Sequence, residues 1–200
     1  MKKILATLSV ILLLVCGCSN MMNTPTKKVE EFLGKYQSMD SEVLAQLDKV
    51  VSSDTTMSDS QKEDYRSLME KQYQNLSYKV KDERIDGNNA EVDVEIEVFD
   101  YATSISKSRE YYNTHKDEFE DDKATINTDD DQNNNNVIEK ATDELKETAK
   151  YIEYKIKQLK NVTDKVKYQI TFHLTKVNDE WKVDDISDID RKKIHGLFED

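Results

Sequence analysis

Apolar positions along residues 24–74 recur with helical spacing. In TKKVEEFLGKY they fall at i, i+3, i+4 and i+7, which is one face of an α-helix. DSEVLAQLDKVV and SDSQKEDYRSLMEKQYQ repeat this spacing, and each segment follows residues that commonly cap helices. The pattern therefore predicts three amphipathic helices. Their predicted core-facing residues are Val29, Phe32, Leu33 and Tyr36, then Val43, Leu44, Leu47, Val50 and Val51, then Tyr65, Leu68, Met69 and Tyr73, with N-caps at Thr24 or Thr26, Asp40 or Ser41, and Ser58 or Ser60.

From Leu76 the period of the pattern falls to two, which is typical of strands with one buried face. LSYKV and AEVDVEIEV each place their apolar residues on one side, and DGNN between them is a hairpin turn signal. The alternation changes phase at Phe99, which predicts a bulge or the end of the strand. VKYQITFHL, the turn VNDE and WKVDDI predict a second hairpin in the same way.

The residues between the hairpins, 102–163, have helical spacing with one interruption. A helix is predicted over 102–122, and a mobile loop over about 121–136, because DDKATINTDDDQNNNN has few apolar groups to bury. The longest helix is predicted over about 137–160, and the tail 188–200 can form one short amphipathic helix. The predicted inner residues are Ile105, Tyr112, His115 and Phe119 in the first helix and Ile138, Ala141, Leu145, Thr148, Ile152, Ile156 and Leu159 in the long one.

This order of elements predicts a single α+β domain over residues 27–187, with helices packed on one face of an antiparallel sheet of two hairpins and a helical insertion between the hairpins. The order, together with EVDVEIEV and a closing DEWKVDDI, resembles the nuclear-transport-factor-2-like and cystatin-like lipoproteins of Gram-positive bacteria. The resemblance covers about residues 24–187 and implies a curved sheet. The simplest members of these families have a short connection between the hairpins. The insertion at 102–163 therefore leaves the strand order and the shape of any pocket open.

The N-terminus carries the pattern of a secretory signal peptide. Lys2 and Lys3 precede an apolar stretch from Ile4 to Val15, a charged start followed by a short apolar run. The run is shorter than the roughly 20 apolar residues of a membrane-spanning helix. The next residues, Val15-Cys16-Gly17-Cys18, resemble the lipobox of bacterial lipoproteins.

The lipobox resemblance implies that residues 1–17 are removed and that Cys18 carries a diacylglyceryl thioether on the outer face of the cell membrane. Two acyl chains are enough for stable anchoring. Residues 18–26, which include Pro25, are then predicted to be a short tether. Because cleavage takes Cys16 away, a redox pair or a metal site is disfavoured for the two cysteines. An ordinary secreted protein is the alternative.

Net charge and motifs exclude several function classes. The formal net charge of −12 opposes nucleic-acid binding, which needs a basic surface, and adhesion to anionic headgroups apart from the anchor. The four glycines form no phosphate-binding loop. In NTDDDQNNNN, an EF-hand starting at Asp129 would place Asn134 where glycine is required and Lys140 where glutamate is required, so the calcium motif fails. A solvated loop is favoured there, with weak, irregular calcium binding as the alternative. No metal or cofactor is predicted.

The chain offers one weak candidate for catalysis. His173 lies between Phe172 and Leu174 and so points away from the apolar face of its strand. It could line a cavity with Asp93 or Glu95 as an acidic partner, or it could be an exposed residue on a polar surface. A general base needs a tuned pKa and a positioned partner, and the sequence shows neither.

The sequence therefore predicts a non-enzymatic lipoprotein that binds a small ligand, peptide or envelope protein, at residues that the pattern does not identify. Ten tyrosines suit a partner surface, although they can equally border the core. One alternative is a small isomerase- or hydrolase-like enzyme that uses a helix–sheet cleft. Another is a helical accessory subunit of an envelope complex that docks its partner through residues 102–163.

Overall fold

The N-terminal helices form as the apolar spacing predicts. The computed structural model describes residues 23–119 and 148–199. Its first three helices are α1 (Pro25–Gln37), α2 (Ser41–Ser53) and α3 (Asp59–Gln74), and their N-caps are Thr24, Asp40 and Ser58. The predicted tether is too long by two residues, because Pro25 is the first residue of α1, where a missing N–H is tolerated.

Four strands form one antiparallel sheet in the order β1-β2-β3-β4. They are β1 (Ser77–Asp86), β2 (Asn89–Phe99), β3 (Lys165–Val177) and β4 (Glu180–Val183). Two-residue turns close the hairpins. Gly87 has φ +59° in the first turn, and both Asn178 and Asp179 have positive φ in the second, as such turns require. The predicted α+β class is confirmed.

The core lies between the helices and one face of the sheet. Phe32 of α1 packs edge-on against Phe172 of β3 with ring centroids 5.7 Å apart, and α1 also contacts β1, β2 and β4. Alternate residues of the two central strands are buried there, namely Ala90, Val92, Val94, Ile96, Val98, Tyr168, Ile170, Phe172 and Leu174. The opposite face is polar. Arg84 lies across it and pairs with Asp82, Glu91 and Asp93.

A bulge in β1 turns a carboxylate toward the start of α1. The register between β1 and β2 shifts between Val80 and Asp82, so that Lys81 is the extra residue. Beyond it Glu83 lies opposite the inward-facing Val92, and its carboxylate accepts a 2.8 Å hydrogen bond from the backbone N–H of Thr26. An acidic group at a helix N-terminus is stabilising.

The described part of the insertion forms three helices, α4 (Tyr101–Thr114), α5 (Lys116–Phe119) and α6 (Ala149–Lys160). The phase change at Phe99 marks the end of β2, since Asp100 caps α4. The predicted continuous helix over 102–122 is wrong, because His115 ends α4 and is exposed. Phe119 is buried as predicted.

The predicted helix over 137–160 is also not continuous. Thr148 has extended backbone (φ −69°, ψ 154°), and its hydroxyl accepts a hydrogen bond from the Tyr151 N–H, so it caps α6 instead of contributing to the core. Ile152, Ile156 and Leu159 are buried as predicted. The predicted loop at about 121–136 and the inner residues Ile138, Ala141 and Leu145 lie outside the described residues.

The C-terminal segment is part of the same core and includes α7 (Asp188–Ile194), the predicted short helix. Ile194 has no solvent exposure. Gly196, at φ +69°, ends α7 in the left-handed conformation, and the Leu197 N–H bonds to the Lys192 carbonyl in a Schellman motif. The backbone of Gly196 packs directly on Phe99 and on the side chain of Gln72.

Candidate functional site

A groove with a volume of about 450 Å³ opens between α2 and α3, and residues of α7 and its C-cap close one side. We call it the α2–α3 groove. Its apolar and aromatic walls are Tyr36, Val43, Leu47, Tyr65, Met69 and Tyr73. Volumes of 300–1,000 Å³ with mostly apolar walls are typical of small-molecule sites.

The groove exists because α2 packs mainly on α3 and not on the sheet. The apolar stripe of α2 is therefore only partly covered. Val43 and Leu47 are buried, but Val50, which the spacing assigns to the core, is 63 % exposed and lines the groove. The prediction for Val50 is wrong, because a helical period identifies an apolar face without showing whether another element covers it.

Two hydrogen-bonding side chains meet at the base of the groove. The Tyr73 hydroxyl lies 3.2 Å from Nε2 of His195, and the Tyr73 ring packs edge-on against Tyr36 with centroids 5.2 Å apart. Burial lowers the pKa of His195 to about 4, and the nearby Arg191 cation acts in the same direction. Burial also raises the pKa of Tyr73. Both groups are therefore neutral near pH 7.

The charged residues that line the groove are cations. Lys49 of α2 and Arg191 of α7 lie at its rim, and the other polar lining residues, Gln46 and Ser53, are neutral. This is unusual for a chain with a net charge of −12. The arrangement can hold an apolar group between the helices while offering hydrogen bonds at the base and positive charge at the edge.

His173, the catalytic candidate, is an exposed residue on the polar face of the sheet. Its side chain is 63 % exposed and its Nδ1 is 3.6 Å from the Glu91 carboxylate, since these two residues pair across β2 and β3. The proposed acidic partners have other contacts. Asp93 pairs with Arg84 and accepts a hydrogen bond from Thr171, while Glu95 pairs with two lysines.

A second aromatic cluster joins α4, α5 and α6. Tyr111 stacks on the exposed His115 at 4.0 Å and on Tyr154 at 5.1 Å between centroids, and both Tyr112 and Tyr154 contact Phe119. These tyrosines border buried side chains of the insertion.

Two further cavities, of about 450 and 410 Å³, flank the C-terminal segment beside α4. The first is lined largely by polar residues of α4, such as Thr103, Ser106 and Glu110, and is more open than the groove. Neither offers a comparable set of buried aromatic rings. The α2–α3 groove is therefore the best candidate for a binding site.

Sequence reasoning missed Arg191 and His195, because residues 188–200 read as a tail. A local signal was present: a glycine directly after a short segment with basic residues in its last turn is typical of a helix C-terminus. That signal shows that the helix ends there, but not that His195 faces Tyr73, which is 122 residues away.

Within residues 23–119 and 148–199 no cluster of three or more histidine, cysteine or acidic side chains could hold a metal ion. In the same ranges no helix combines the length and apolar character that a membrane crossing needs. Cys18 and the NTDDDQNNNN segment lie outside these ranges. No protein-family model, curated protein or solved structure matches the chain.

Proposed function

We propose that this protein is a non-enzymatic binding module, held by a lipid on Cys18 at the outer face of the cell membrane, which takes a small ligand into the α2–α3 groove. The observation that carries the proposal is the groove itself, with walls of tyrosine and aliphatic side chains around a neutral Tyr73–His195 pair.

The protonation states of that pair favour binding over catalysis. A general base is most effective when its pKa lies near the working pH. His195, with a pKa of about 4, is too weak a base near pH 7, and Tyr73, with a raised pKa, stays protonated. In the described residues no carboxylate hydrogen-bonds to the His195 ring. As neutral groups, both side chains can still donate or accept hydrogen bonds to a ligand.

The start of the domain suits a short anchor. Asn23 is fixed to the second hairpin, because its side chain donates to the Asp179 carbonyl at 2.6 Å and accepts from the Trp181 N–H at 3.1 Å. Four residues, 19–22, separate it from Cys18. The five steps from the Cα atom of Cys18 to that of Asn23 therefore span at most about 18 Å when the chain is fully extended. Lipidation at Cys18 would therefore hold the β3–β4 turn close to the membrane surface.

The groove is tested with an uncharged, environment-sensitive apolar dye such as N-phenyl-1-naphthylamine. Ser53 lines the groove and Ser52 does not, yet both are exposed on α2 and both hydroxyls bond to the carbonyl three residues earlier. We expect Ser53→Trp to fill the groove and weaken dye binding at least about tenfold. Ser52→Trp is the matched control and should bind as the wild type does. Equal binding by all three proteins would contradict the proposed site.

The anchor is tested by metabolic labelling with a fatty acid. We expect Cys18→Ala to abolish lipid labelling and to leave the protein unprocessed or release it from the membrane. Cys16→Ala is the control and should keep the label. Label retained by Cys18→Ala would contradict the assignment of the modified cysteine, and an intact N-terminal methionine without acyl groups on the native protein would contradict the anchor.

A further inference from the structure

We infer that the ligand of the α2–α3 groove is an anionic amphiphile, a molecule with one apolar chain or ring system and one carboxylate or phosphate head. This inference rests on the proposed binding function and specifies its ligand class. It follows from the charges around the groove and from the way in which the nearby acidic residues are already paired.

The two cations at the rim are available to a ligand. Lys49 is exposed and forms no ion pair with any residue in the described ranges. Arg191 is held loosely: its Nε lies 3.8 Å from the Asp188 carboxylate, beyond hydrogen-bond distance, and one NH2 group donates to the Ile186 carbonyl at 3.3 Å. A guanidinium has five N–H donors, so most of those of Arg191 remain for an anionic head.

Three acidic residues of α2 and its C-cap have partners that do not line the groove. Asp54, which lies near Tyr65, accepts hydrogen bonds of 2.6 and 2.7 Å from Thr56, and these hold its pKa below the usual range. Asp48 pairs with Arg66 at 2.6 Å, and Glu42 pairs with Lys35 at 2.8 Å. None of these three carboxylates lines the groove.

The walls below the rim suit the apolar part of such a molecule. Tyr36, Tyr65 and Tyr73 present rings, and Leu47 and Met69 present aliphatic surface. A cationic ligand would meet two like charges at the rim, and an uncharged one would form no charge-assisted hydrogen bond with either cation. An anionic head gains charge-assisted hydrogen bonds, which are stronger than those between neutral groups.

The test compares ligands that share a chain and differ in head group. Dodecanoate, dodecyl phosphate, methyl dodecanoate and dodecylamine are each used, below their micelle concentrations, to displace the uncharged dye. We expect the two anions to displace it at concentrations about tenfold lower than the ester, a difference of about 1.4 kcal/mol, and the amine to be the weakest. Which anion binds more tightly distinguishes a carboxylate ligand from a phosphate ligand.

Charge variants assign the preference to the rim. We expect Lys49→Gln with Arg191→Gln to reduce the advantage of the anions over the ester to less than about twofold, without weakening ester binding. Lys79→Gln with Lys192→Gln makes the same change in net charge at exposed residues that do not line the groove, and should retain the preference.

The outcomes separate the two proposals. One outcome is that Ser53→Trp weakens dye binding, but the anions and the ester displace the dye at equal concentrations. The proposed ligand class is then wrong, and the proposed binding function stands. A preference for anions that survives the rim double variant also overturns the inference. If neither the dye nor any competitor binds, the proposed function itself fails.

Discussion

Replacing Gly196 by alanine should destabilise the domain more than a left-handed backbone alone would explain. Gly196 has φ +69°, and an added Cβ would lie under 3.0 Å from the Phe99 carbonyl oxygen and from Nε2 of Gln72. The fully buried Gln72 pairs with the Phe99 backbone through two hydrogen bonds, of 2.9 and 3.1 Å. The Cβ therefore competes for space with a buried polar contact between α3 and the end of β2.

The expected cost has two parts. A non-glycine residue in the left-handed region costs about 1–2 kcal/mol. Displacing Gln72 breaks two buried hydrogen bonds, at about 1 kcal/mol each, and leaves buried groups unsatisfied at a further cost. We expect Gly196→Ala to lower the free energy of unfolding by about 3–5 kcal/mol. In a domain of this size that corresponds to a loss of about 6–20 °C in Tm.

Gly87→Ala is the matched control. Gly87 has nearly the same φ, +59°, but a Cβ there would meet nothing within 4 Å, so only the backbone cost of about 1–2 kcal/mol applies. The free energy of unfolding of both variants is measured in urea, with the fluorescence of Trp181 as the signal. Trp181 is the one tryptophan of the chain and is buried. A double-mutant cycle of Gly196→Ala with Gln72→Ala should show less than additive destabilisation, because the second change removes one of the clashing groups.

Equal destabilisation by Gly196→Ala and Gly87→Ala, within about 0.5 kcal/mol, would refute the close approach between Gly196 and Gln72. Additive effects in the cycle would refute the coupling between them.

Three further predictions concern other parts of the fold. Gly34 lies inside α1 with open space where a Cβ would project. Gly34→Ala should therefore raise the free energy of unfolding, measured in urea, by about 0.5–1 kcal/mol. A lower free energy of unfolding would contradict the open space beside Gly34. Thr148→Ala should lower stability by about 1 kcal/mol, because it removes the cap of α6, whereas in an unbroken helix over 137–160 the same change would be stabilising. The pKa of His195 is lowered to about 4 in the folded protein against about 6.5 when unfolded, so the unfolded chain takes up the proton first as the pH falls. The neutral imidazole therefore makes its full contribution to the free energy of unfolding above about pH 6.5. That contribution decreases as the pH falls toward 4, and about 2 kcal/mol of it is lost at pH 5. This loss between pH 7.5 and 5 should be smaller in His195→Gln, and an unchanged pH profile would contradict the burial of the imidazole.

The sequence alone determined the elements whose signals are local. Helical spacing predicted α1, α2 and α3, strict alternation predicted β2 and β3, and turn residues predicted both hairpins, because burial of one face and turn geometry are written into consecutive residues. Together these predicted the α+β class.

The contacts and exposure of several residues depend on distant parts of the chain and are seen only in the tertiary structure. Val50 belongs to the apolar face of α2, yet it is exposed because no element covers that part of the helix. Thr148 has the right spacing for the interior of a helix and instead caps one. The bulge at Lys81 brings Glu83 to the start of α1, and α7 brings His195 to Tyr73. The groove arises where α1, α2, α3 and α7 meet, so no local pattern along the chain could show it.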